Sequence, residues 1–97
     1  MEFPEIKTLV ETQFRRLLPN DKCVDVMIQP TEDWQGHPIL DIIIVYDTKN
    51  RDQLLDSRGT LTLGRVVHER MEKAGETRFP HIGFVVKSEA KELNLAA

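Results

Sequence analysis

The stretch Ile39-Leu40-Asp41-Ile42-Ile43-Ile44-Val45-Tyr46-Asp47 constrains this chain more than any other. Read as a strand, it sends successive side chains to opposite faces. Leu40, Ile42, Ile44 and Tyr46 then make one face apolar throughout, apart from the tyrosine hydroxyl. The other face mixes Asp41 and Asp47 with Ile43 and Val45. Such a strand needs a complete cover on one side and carries apolar groups on the side that should be wet.

A second alternating segment, Cys23 to Gln29, precedes it and places Val24, Val26 and Ile28 on one face. The link contains Asp33-Trp34-Gln35-Gly36, with Asp first and Gly fourth, as a type I turn prefers. Gly36 in the left-handed conformation makes a three-residue hairpin loop with a bulge. Asp33 then faces His37, and Ile28 pairs with Ile42, Val26 with Ile44, and Val24 with Tyr46. The apolar faces coincide in that register. A two-residue Gln35-Gly36 turn would slip the pairing by one and put them on opposite sides.

Helical spacing appears before and after this hairpin. From Pro4, suited to a first turn, Ile6, Leu9, Val10, Phe14, Leu17 and Leu18 form one stripe. Pro19-Asn20-Asp21 ends that helix. After a polar loop, Thr48 to Arg51, and an unassigned stretch with Leu54 and Leu55, a second helix starts near Asp56 or Ser57. Its stripe is Leu63, Val66, Val67, Met71 and Ala74, with Gly75 as its C-terminal cap. Glu76 to Pro80 reads as a loop and His81 to Lys87 as a third strand, with Ile82, Phe84 and Val86 inward. Ser88 to Leu93 reads as a short helix, and the last four residues are expected to fray.

The predicted order is α-β-β-α-β in a single small α+β domain over residues 1–97. The expected architecture is a two-layer sandwich: a three-stranded, mainly antiparallel sheet with two helices on one face, the third strand reached by a right-handed crossover. This order resembles small type II KH-like domains and the ribosome-binding-factor type of fold. The resemblance implies an RNA- or ribosome-associated module. The GxxG loop with which a KH domain approaches a nucleic-acid backbone is missing.

Charge and composition point elsewhere. Thirteen Lys and Arg against sixteen Asp and Glu give a net charge of -3, which disfavours nucleic acid as a partner. Of the aromatics, Phe14, Phe84 and Tyr46 are assigned to the core, and Phe3 and Phe79 to loop staples. Only Trp34 is left for stacking, beside Glu32 and Asp33, whose charge repels phosphate. It is better explained as folding back over the sheet edge or as an anchor for another protein. Cys23 is the only cysteine, so the chain forms no internal disulfide and no Cys-based zinc site. The opening Met1-Glu2-Phe3-Pro4-Glu5 lacks the basic and apolar regions of a secretory signal, so a cytoplasmic location is expected. The longest apolar run, Ile42 to Tyr46, is far too short to span a bilayer.

No catalytic constellation emerges. Gly59 and Gly64 have phosphate-loop spacing, but Arg65 and Val66 stand where lysine and a hydroxyl belong. A loose helix start whose glycines allow close packing explains them better. Asp25, Asp41 and Asp47 are expected on the outer sheet face, with Asp25 diagonal to Asp47 at about 7–8 Å between α-carbons. Two carboxylates at that range could share magnesium, although solubilising acids are the simpler reading. His37, His68 and His81 lack metal-ligand spacing. No cofactor is implied.

The outer sheet face is more informative. It carries Met27 opposite Ile43 and Val45 opposite Asp25, with Ile39 and Val85, inside a rim of charge. An apolar centre with a charged rim has the anatomy of an association surface. With Trp34, these six residues form the expected protein interface, for a partner protein or a second copy in a homo-oligomer.

Overall fold

The computed structural model describes residues 1–49 and 54–93. The end of the predicted Thr48–Arg51 loop and the four C-terminal residues lie outside the described residues. The elements run α1 (Phe3–Leu17), β1 (Asp21–Glu32), β2 (Pro38–Thr48), α2 (Ser57–Lys73), β3 (Phe79–Val86) and α3 (Lys87–Glu92). The strands form one mixed sheet in the order β1-β2-β3, with β1 antiparallel and β3 parallel to β2. This is the compact α+β arrangement that the hydrophobic pattern predicts.

Local chemistry sets the helix ends. Glu2 and Glu5 form a reciprocal capping box at the start of α1, next to Pro4 in the first turn. The Asp56 carboxylate accepts the Arg58 N–H at the start of α2. The end of α2 is a Schellman turn, with Gly75 at φ +86°, its N–H donating to Glu72 and that of Glu76 to Met71. The helix stripes meet the sheet: Ile6, Val10, Phe14 and Leu18 of the first stripe and Leu63, Val67 and Met71 of the second are buried with Val26, Leu40, Ile42, Ile44, Tyr46 and Val86. Ala74, expected on that stripe, is instead the exposed C-cap of α2.

The hairpin has the predicted turn and, through most of its length, the predicted register. Gly36 has φ +82°, and the Asp33 N–H donates to the His37 carbonyl at 2.9 Å. Ile28 pairs with Ile42 and Val26 with Ile44. The expected Val24–Tyr46 pair is corrected by a β-bulge: Cys23 faces Tyr46, Asp25 faces Val45, and Val24 between them has no partner and is exposed. Next to the bulge, the Asp25 carboxylate accepts the Val26 N–H at 2.8 Å and meets Lys7 of α1 at 3.3 Å. Cys23 takes the core-facing place that Val24 was expected to fill.

A second small buried group lies outside the main core. Val45 and Ala90 are both fully buried, neither belongs to the main cluster, and α3 packs against β2 and β3. Helical cover of β3 is less complete. Val86 is buried, but Ile82 and Phe84, both expected inside, are only half-buried.

Candidate interaction surface

The register arranges the sheet face opposite the α1–α2 core in rows across the strands. Gln29, Asp41 and His81 form one row; Met27, Ile43 and Gly83 the next; Asp25, Val45 and Val85 another. Met27, Ile39, Ile43 and Val85 are half-buried in the single chain. Val45 is a correction: it is fully buried and is not part of any open surface. The polar row is internally paired, with His81 Nδ1 at 3.1 Å from Asp41 Oδ1.

Asp25 faces Val45 as expected, the bulge places Asp47 opposite Lys22, and the Asp25 carboxylate meets Lys7 at 3.3 Å. Among the described residues no group of three or more His, Cys, Asp or Glu stands where it could hold a metal ion. Each histidine meets a different carboxylate: His37 with Asp33, His68 with Glu72, His81 with Asp41. The Gly59–Gly64 stretch lies within α2 and is not a phosphate-binding loop.

Cys23 lies beside α1 and β1. Its Sγ donates to the Asp25 carbonyl at 3.7 Å. Burial, followed by the charges of Glu11 and Asp25, pushes the thiol up from 9.0 to about 11, against the opposing effect of Lys7. That is the reverse of what a nucleophilic cysteine needs. At pH 8 the native protein should therefore react with iodoacetamide on the order of 100-fold more slowly than the urea-unfolded chain, because its thiolate fraction falls about tenfold per unit of pKa. Equal labelling rates would contradict this account of the site.

The hairpin tip is the most exposed apolar feature. Trp34 is 90% exposed, which corrects the expectation that it folds back over the sheet edge. The turn beneath it is rigidly tied: Asp33 Oδ1 accepts the N–H groups of Gln35 and His37, each at 2.9 Å. The His37 N–H contributes most to holding the Asp33 carboxyl below its ordinary range.

Sequence reasoning missed a groove of about 530 Å³ between α2 and β3. Leu61, Gly64, Arg65 and His68 line its helix side, and Phe79, Ile82 and Phe84 its strand side. Phe79 stands edge-on to the His68 ring with centroids 4.7 Å apart and is half exposed, so it is a groove wall and not a loop staple. A Cβ built on Gly64 meets nothing within 4 Å. The sequence signal was available in Thr60 and Gly64, small residues one helical turn apart, which leave a gap opposite the alternating Pro80, Ile82 and Phe84.

No helix among the described residues is long and apolar enough to cross a membrane. In comparisons with known proteins, the chain matches no family model, no curated protein and no solved structure.

Proposed function

We propose that this chain is a small cytoplasmic protein-interaction subunit that associates with itself. The observation that carries the reading is the partly open apolar row on the sheet face opposite the α1–α2 core, where Ile43 of the central strand lies between Met27 and Gly83, with Val85 nearby. Half-buried apolar groups on a sheet face gain free energy when a second surface excludes water from them. The fully exposed hairpin tip adds an aromatic anchor of the kind enriched in interfaces. Lone Cys23 is compatible with a reducing compartment.

The test is the solution mass by sedimentation over a range of concentrations. Wild type should exceed the monomer mass of 11.2 kDa. Ile43→Asp should weaken association at least tenfold, since burying an unpaired carboxylate costs more than about 1.4 kcal/mol. Met27→Lys on the edge strand β1 offers a second variant with less risk to the fold. A wild-type monomer at every concentration would remove the proposal. Retention of mixed RNA on a filter at low salt and not at high salt would favour the KH-like reading instead.

A further inference from the structure

The exposed tip and the uncovered groove have complementary properties. Trp34 presents a whole indole to solvent, and an indole buries about 150–250 Å² when it finds a pocket. The groove offers about 530 Å³ with Leu61, Phe79, Ile82 and Phe84 on its walls. Glu32 adjoins the tip, and Arg65 on the groove rim makes no ion pair among the described residues. His68 and His81, also at the rim, already meet Glu72 and Asp41.

Topology places the two features at the same end of the molecule. Glu32 pairs with Pro38 just before the tip, and Ile39 pairs with Phe79 at the groove mouth. The tip joins β1 to β2, so it lies one to two strand spacings, about 5–10 Å, to the side of β3. A tip and a receptor side by side at one end permit a two-fold axis between two molecules, so that both contacts form at once and the assembly closes.

We propose that Trp34 of one copy seats in the α2–β3 groove of a second copy, with Glu32 facing Arg65, and that mutual exchange of the two tips forms a dimer. The inference extends the reading of the chain as self-associating and does not depend on the apolar row around Ile43. The two indoles together bury about 300–500 Å². A specific interface buries at least about 1,200 Å² in total, so the rest comes from the turn and the open edge of β3.

Trp34 is the only tryptophan, so its fluorescence reports on the surroundings of the hairpin tip. Emission should move to shorter wavelength as concentration rises, with the same midpoint as the increase in sedimentation mass. Trp34→Ala and Gly64→Leu should each weaken the dimer about 30-fold or more, the size of effect expected at an interface hot spot. Gly64→Leu fills the groove where a Cβ meets no neighbour, so its unfolding temperature should not fall. Arg65→Glu should weaken the dimer, and adding Glu32→Arg to it should restore binding.

Rising mass with unchanged emission would overturn the tip-in-groove contact and leave self-association to the sheet face. Full association by Gly64→Leu, with the emission shift intact, would also overturn it, as would a shift in a molecule that stays monomeric. If Ile43→Asp dimerises normally and keeps the shift, the sheet-face surface fails and the exchanged tips stand. A monomer of constant emission removes both.

Discussion

Replacing Gly59 with valine is expected to lower stability by about 1–3 kcal/mol, while Gly64→Ala should raise it by up to about 1 kcal/mol. Both glycines are in α2, where helix propensity alone favours replacing either one. Their surroundings differ. A Cβ on Gly59 would lie 2.6 Å from Leu18 Cδ2 and 2.9 Å from the Leu17 carbonyl oxygen. The leucine methyl can shift only into a packed core, since Leu18 is 2% exposed. The carbonyl is backbone at the end of α1, and moving it separates the two helices. At Gly64 the same atom meets nothing within 4 Å. Thermal unfolding checks both, with each kcal/mol worth roughly 4–8 °C in a domain of this size. A stabilised Gly59→Val protein would show that the α1–α2 contact is not tight.

Glu76→Ala is expected to destabilise the protein by about 2–3 kcal/mol near neutral pH, because it removes one member of a largely desolvated charge pair. Arg78 donates to Glu76 through Nε at 3.0 Å, Nη2 at 2.9 Å and its backbone N–H at 3.0 Å. The Met1 amine is 3.3 Å away, and the Arg78 guanidinium also lies 5.6 Å from the centre of the Phe3 ring. The Glu76 side chain is 5% exposed. Arg78 is more open at 28%, so water partly compensates it when its partner is removed, and the loss stays below that of a fully buried pair.

The same contacts set an acid dependence. The Arg78 side-chain bonds, aided by its backbone N–H and the Met1 amine, outweigh burial and hold the Glu76 carboxyl at about 2 instead of 4.5. The native carboxyl therefore stays charged after the unfolded one has taken up a proton. Its contribution is complete above about pH 5 and is lost as pH falls towards 2. Wild-type stability should decline across that window more steeply than that of Glu76→Ala or Glu76→Gln. Parallel pH profiles for the variants and wild type would show that Glu76 does not carry this term. An Arg78→Ala and Glu76→Ala double-mutant cycle isolates the pair itself.

The core and the hairpin were readable because they rest on local periodicity and turn chemistry. A stripe such as Ile6, Val10 and Phe14 has one way to face a sheet. The Asp33-to-Gly36 turn allows one register in which the apolar rows coincide. The bulge at Val24 was not readable, since an inserted residue leaves the alternation on either side intact and the local side-chain interactions beside it involve Asp25 and the distant Lys7. Nor could alternation show that Val45 is buried while Phe84 is only half-covered.

The sequence by itself determined the order of elements, the faces that α1 and α2 bury, and the position of Trp34 in the hairpin turn. Those features depend on residues within a few places of one another, where backbone geometry decides which side chains share a side. Only the tertiary structure decided that α3 packs against β2 and β3, that Glu76 is clamped by Arg78 and the Met1 amine, and that α2 leaves a groove beside β3. These depend on the distances at which separate elements come to rest, which follow from how their particular side chains interlock and not from the period of any one segment.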